Sequence, residues 1–200
     1  MLDENWESKF KSCYYSDRLL DKLHLISSNS NKSIDCNKIK KAIYYAKQYH
    51  GNQIRQSGEP YYSHPLEVAY MTADYLFETD IMVTSILHDT IEDTTLTKAH
   101  IQLLFDKVIA NKVEDLTRIK KEQKISSLKL VQLLLDQKKH DILLIKYFDR
   151  MHNMQTIKAK SPAKIKKITD ETLEIFLILG EQLKIKPKEQ NLLMQLCATA

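Results

Sequence analysis

Glycine and proline are scarce in this 200-residue chain, three and four in all, where average usage gives roughly 14 and 10. Sandwiches, barrels and hairpin-rich folds need both residues at many turns, so those architectures are disfavoured. No GxGxxG or GxxxxGK[ST] string occurs, which excludes a glycine-rich dinucleotide or phosphate loop. Long apolar runs are missing too. Ile142–Ile145 and Ile175–Leu179 are among the longest, far short of the roughly 18 residues that a membrane span needs. The start, Met1-Leu2-Asp3-Glu4, is acidic and unlike a signal peptide. Cys13, Cys36 and Cys197 are odd in number and lack zinc-finger spacing, which suits buried or free thiols in a reducing cytosol. The expectation is a cytoplasmic protein with no membrane partner.

What is present reads as helix. Hydrophobic residues make up 43% and charged residues 28%, enough for one sizeable core. Gly51, Gly58, Pro60 and Pro65 fall within fifteen residues, whereas Leu66–Ser161 contains neither type. One loop, 51–62, is thus set in an otherwise helical chain. Asp35 is expected to cap a helix reaching Tyr49, with Ile39, Ala42, Ile43 and Ala46 inward. Ser63 is expected to cap the next, with Pro65 in its first turn and Phe77 near its end. Further helices are expected from Thr79 or Asp80, and over 97–105, 107–119, 125–137 and 140–158. Another should run from Pro162 to near Gly180, and a short one should follow Pro187. The expectation is an all-α protein, with residues 1–34 a helical extension and 35–200 the main domain.

Net charge +4 conceals an asymmetry: residues 1–109 carry −3 and residues 110–200 carry +7. The densest patch holds Lys158, Lys160, Lys164, Lys166 and Lys167. Such lysines serve as a solvated helix end or face an anion; both readings stand at this level.

Two carboxylates emerge from segments apolar enough to be core. Asp89 follows Ser85-Ile86-Leu87-His88, and Asp149 follows Ile142 through Phe148. A buried carboxylate without a partner costs several kcal/mol, so each must meet a cation or a hydrogen-bond network. His64, His88, Asp89 and Asp149 together form a ligand set suited to a borderline transition ion such as Mn, Fe or Zn. Glu92 and Asp93 stand at i+3 and i+4 from Asp89, and three carboxylates on one face repel unless a cation relieves them. The spare pair can then orient or deprotonate a water. His50 reads as a helix-end residue, and His152 as either packing or support for the Asp149 neighbourhood.

Longer strings resemble a family. Gln53 to Leu66 (QIRQSGEPYYSHPL) resembles Q-x-R-K-S-G-E-P-Y-x-x-H-P-L of the hydrolase half of the Rel/Spo proteins, which belong to the HD-domain metal phosphohydrolases. Leu87 to Thr94 (LHDTIEDT) resembles L-H-D-x-x-E-D-T, Ile145 to Met154 (IKYFDRMHNM) resembles I-K-L-A-D-R-L-H-N-M, and Glu171 to Ile175 repeats a later string. The resemblance spans about 42–185. It implies an HD-domain helical bundle that binds one Mn²⁺ ion, or another divalent transition metal. The implied reaction takes pyrophosphate from the 3′ position of guanosine tetra- or pentaphosphate. By position, His64, His88, Asp89 and Asp149 would ligate the metal. Glu92 and Asp93 would position or activate water, and Arg55, Gln56, Ser57, Tyr61, Asn153 and Thr156 would contact the nucleotide. No nucleic-acid partner is implied, and the oligomeric state is left open.

The departures fall around the ligand set. Gln56 and Gln155 stand where the family has basic residues, each losing a charge that could meet phosphate or stack on the base. Asn52, Asp106 and Asp115 stand where it has glycine, and Asn52 is expected to tolerate a left-handed backbone. The chain carries no synthetase string, so degradation of the alarmone is expected and its synthesis is not. Two alternatives stay open: a phosphohydrolase acting on another nucleotide such as NADPH, and a nucleotide-binding domain without turnover.

Overall fold

The computed structural model describes residues 5–117, 119–120 and 123–200. Thirteen helices make up most of them: α1 Trp6–Lys9, α2 Tyr14–Asn29, α3 Cys36–His50, α4 Ser63–Thr72, α5 Thr79–Leu87, α6 Thr90–Asp93, α7 Lys98–Leu104, α8 Lys107–Leu116, α9 Ser127–Asp136, α10 His140–Gln155, α11 Pro162–Glu171, α12 Leu177–Gln182 and α13 Pro187–Ala198. A two-residue antiparallel ladder, β1 Ile119–Lys120 with β2 Gln123–Lys124, joins α8 to α9. The architecture is the all-α one that the turn-poor composition implies.

Two helices form the interior. Every residue of α5 from Ile81 to Leu87 is buried, as is α10 from Ile142 to Met151. α5 is apolar on nearly all sides, as a helix inside a bundle is, whereas α10 also buries Lys146, Asp149 and Arg150; α4 packs against both while α2 lies on α4. This arrangement places the end of α5, the start of α4 and the middle of α10 side by side. Residues 5–34 join the same core through Trp6, Leu19, Leu20 and Leu23.

The local signals are partly the expected ones. Asp35 caps α3 by accepting from the Lys38 amide at 2.9 Å, and Ser126 caps α9 in the same way at 3.1 Å. Ser63 is not a cap: it is the first residue of α4, buried, and Tyr62 precedes it without a side-chain cap bond. α4 stops at Thr72 and not near Phe77, giving way to turns that lead into α5. α8 ends at Leu116, short of 119, because the chain turns into the β1–β2 ladder. The long helix expected after Pro162 is broken by a π-helical stretch over Thr172–Phe176, and Gly180 lies inside α12 rather than ending it.

The 51–62 loop folds back as a small hairpin. Arg55 donates its amide to Glu59 and Tyr61 donates to Gln53, both at 2.9 Å, while Gly58 donates to the Arg55 carbonyl across the tip. Gly58 has φ +101°, a conformation that side chains disfavour. The left-handed position at the end of α3 belongs to Gly51, at φ +51°. Asn52 does not take it, so its exchange for glycine needs no backbone argument.

Candidate active site

His64 enters from the first turn of α4, His88 and Asp89 from the end of α5, and Asp149 from the middle of α10. One ligand atom from each of His64, His88 and Asp149 lies within 4.8 Å of the others, and all three side chains are buried. Asp89 stands beside them: its carboxylate oxygens are 3.1 Å from His88 Nε2 and 3.5 Å from His64 Nε2. Asp149 Oδ1 lies 3.2 Å from His64 Nε2 and 3.9 Å from His88 Nε2.

The outer nitrogens of both imidazoles are fixed. His88 Nδ1 lies 2.7 Å from the Ser85 carbonyl, which can only accept. A proton therefore sits on Nδ1, and Nε2 faces the carboxylates, able to give up its own proton and offer a lone pair when a cation binds. His64 Nδ1 lies 2.9 Å from His152 Nδ1. Burial, reinforced by His64 and Arg55, pushes His152 down to about 3, so His152 is neutral and one ring donates to the other. His64 Nε2 and His88 Nε2 are both buried without a hydrogen-bond partner. Two orphaned imidazole nitrogens facing shared carboxylates fit a divalent cation, by position and by donor chemistry.

The electrostatics point the same way. Burial opposes ionisation of Asp89, but His88 and then His64 outweigh it and hold the carboxyl below its usual range. Asp149 is likewise held low, against its burial, by Lys146 and the two histidines. Burial opposes a charge on His88 as well, yet Asp89 and Asp149 lift it to about 9. Positive charge is favoured at this spot. Asp149 is further clamped by Lys146 Nζ and Asn153 Nδ2, each donating at 2.6 Å.

A cleft of about 790 Å³ opens over the cluster. Every site residue expected from the sequence lines it except His88, which lies behind, buried against Asp89 and Asp149. Arg55 reaches from the hairpin across to α10, donating to Asn153 Oδ1 and Thr156 Oγ1 at 3.1 Å each. Gln56 and Ser57 line the cleft beside it. Gln155 is exposed and does not, so that departure lies outside the cavity. Tyr61 does more than offer a ring: its hydroxyl donates to Asp93 Oδ2 at 2.6 Å. Burial, together with Asp89 and Asp93, raises Tyr61 above its usual range and keeps that proton in place. His50 stacks on the Tyr61 ring with centroids 4.7 Å apart, and Gln53 ties the His50 ring to the Asp93 carbonyl.

Lys146, His152 and the His50–Gln53 brace are contributions that the sequence reading missed or left undecided. Lys146 stands at i−3 from Asp149, a spacing that could have revealed it. The brace rests on contacts between distant segments and leaves no spacing to read.

The HD domain family model matches residues 42–186. The chain is 39% identical over 161 residues to a protein named GTP pyrophosphokinase rsh from Brucella ovis, covering 77% of this chain and 21% of that one. It is 36% identical over 152 residues to the guanosine-3′,5′-bis(diphosphate) 3′-pyrophosphohydrolase of Aquifex aeolicus, covering 74% and 22%. With the bifunctional (p)ppGpp synthase/hydrolase SpoT of Escherichia coli it shares 34% over 155 residues, again covering 74% and 22%. The chain thus spans about a fifth of the length of these relatives. A solved structure described as a metazoan ortholog of SpoT that hydrolyzes ppGpp superimposes with a TM-score of 0.61 at 19% identity, covering 81% of this chain and 94% of that one. At that identity the match speaks for the fold. The chain belongs to the HD-domain family, with Rel/Spo hydrolase–synthetase proteins among its relatives.

Proposed function

We propose that this protein is a metal-dependent phosphohydrolase that removes the 3′-pyrophosphate of guanosine tetra- or pentaphosphate, releasing GDP or GTP and pyrophosphate. Residues 35–200 are read as the hydrolase domain and 1–34 as a helical extension, of which the described residues 5–34 pack on it. The observation that carries the proposal is the pair of buried, unpartnered Nε2 atoms of His64 and His88, set with Asp149 and Asp89 at the floor of a nucleotide-sized cleft. Those four residues would hold the ion, with Mn²⁺ the assignment made from the family resemblance. When bound, such an ion acidifies water and neutralises charge on the attacked phosphoryl group.

The remaining steps belong to the chain's own groups. Glu92 and Asp93 line the cleft next to Asp89 and serve to orient the attacking water and take its proton. Tyr61 holds Asp93 by one oxygen, which aims the carboxylate. Arg55, pre-positioned by Asn153 and Thr156, offers a guanidinium to a phosphate, and Gln56 and Ser57 add neutral polar contacts. Water's oxygen bonds to phosphorus as the bond from phosphorus to the 3′ oxygen breaks, the proton taken from water passes to that oxygen, and the nucleotide leaves with a 3′ hydroxyl.

The test is a substrate panel with the Mn²⁺-loaded protein, comprising guanosine tetra- and pentaphosphate, NADPH and ordinary nucleoside triphosphates. Release of GDP and pyrophosphate from the tetraphosphate is expected. Turnover of NADPH alone would reassign the substrate, and metal binding with no turnover of any compound would leave a binding domain.

A further inference from the structure

The cleft has further charged lining that the metal cluster does not use. Lys160, Lys164 and Lys167 all line it; Lys164 and Lys167, three residues apart, share one face of α11, and Lys160 precedes the helix in extended backbone. Lys166, on the other face, pairs with Asp170 at 3.5 Å, and neither it nor Lys158 borders the cleft. The five lysines of the patch therefore divide into an inward set and an outward set.

Other cations in the cavity are already engaged. Lys146 is held by Asp149 at 2.6 Å. Arg150 pairs with Glu171 at 3.0 Å, donates to Ser127 and the Ile168 carbonyl, and lies over the Phe176 ring. The three inward lysines have no ion pair with a carboxylate among the described residues. Lys160 stands near Arg55 and Lys164, and its burial and those two cations depress its ammonium. Like charges gathered in a concave wall repel one another, and an anion relieves them.

We infer that Lys160, Lys164 and Lys167 form a second anion subsite that holds the 5′ polyphosphate chain of the nucleotide whose 3′ phosphates lie at the His64–His88–Asp149 cluster. The inference rests on the hydrolase reading above and narrows its substrate class. A cleft lined by both a cation-binding cluster and bare ammonium groups suits a small molecule phosphorylated at two separate positions. Lysines act there as mobile point charges that tolerate chains of different length. Discrimination is therefore expected between long and short 5′ chains, with no sharp cut-off.

The test has a binding arm and a turnover arm, both on the full chain. Calorimetry with inorganic tripolyphosphate compares wild type with the triple variant Lys160→Gln, Lys164→Gln, Lys167→Gln, and with the outward control Lys166→Gln. The triple variant is expected to bind at least about tenfold more weakly, the scale of one lost charge-assisted hydrogen bond, and the control to match wild type. In turnover, guanosine 3′-pyrophosphates bearing a 5′ mono-, di- or triphosphate are compared. Wild type should show kcat/KM rising with 5′ chain length, and the triple variant should flatten that series through KM. Equal tripolyphosphate binding by wild type and triple variant would overturn the inference. So would a triple variant that loses the same factor on every substrate. If wild type turns over none of the three substrates, the hydrolase reading fails, and the binding arm still decides whether the lysines form an anion site.

Discussion

At the scale of single residues, the site depends on side chains that never meet the substrate. His152 is one. For His64 Nε2 to offer a lone pair, its proton must sit on Nδ1 and be accepted by His152, 2.9 Å away. His152→Leu removes that acceptor, and Mn²⁺ affinity measured by calorimetry should fall by roughly 10–100-fold. Tyr61→Phe leaves the ring stacked on His50 but removes the hydroxyl that donates to Asp93 Oδ2. It should lower kcat by about tenfold with KM little changed, because an aimed carboxylate acts on the attacking water and not on substrate binding. Part of this scale was legible: Asp89 and Asp149 stood out because carboxylates followed apolar runs, and His64 and His88 entered as the imidazoles such a pair would recruit. His152 was left undecided because its partner lies 88 residues away in sequence. Only the packing of α4 on α10 brings the two together.

At the scale of elements, two positions show what pattern reading resolves and what it does not. Asp106 replaces a family glycine, and the structure supplies a reason. It caps α8 by accepting from Ile109 at 2.9 Å, and it pairs with Lys38 Nζ at 2.9 Å. Slight burial opposes its ionisation, but those bonds outweigh it and hold the carboxyl below its usual value. A depressed carboxylate stabilises the fold above its unfolded pKa, and that contribution is lost as pH falls through the folded one. Asp106→Ala should therefore cost about 1 kcal/mol at pH 7 in urea unfolding and less at pH 3. Gly180 reads from sequence as a helix end, yet it lies within α12 against α10. A Cβ there would meet the buried Tyr147 ring at 3.1 Å. Gly180→Ala should destabilise by about 1–3 kcal/mol through overpacking, despite its better helix propensity. No periodicity rule could reveal that contact, since it depends on how closely two helices approach.

For the whole molecule, the uneven charge of the sequence becomes an uneven cleft. The acidic N-terminal part supplies Asp89, Glu92 and Asp93, and the basic C-terminal part supplies Arg150 and the inward lysines. The bulk imbalance was visible in the composition, but its meaning required the fold that sets the two parts across one cavity. The scarcity of glycine likewise signalled helices, while the hairpin at 51–62 carries the turn that presents Arg55 to α10. In the proposed function, the buried His–Asp cluster holds one divalent ion and pyrophosphate release depends on it. The most direct measurement titrates Mn²⁺ into metal-stripped protein while pyrophosphate release from guanosine tetraphosphate is followed. The rate should rise with occupancy and saturate near about one ion per chain, and Asp149→Ala should neither bind the ion tightly nor release pyrophosphate. Equal release without metal, or an Asp149→Ala variant as active as wild type, would contradict the account.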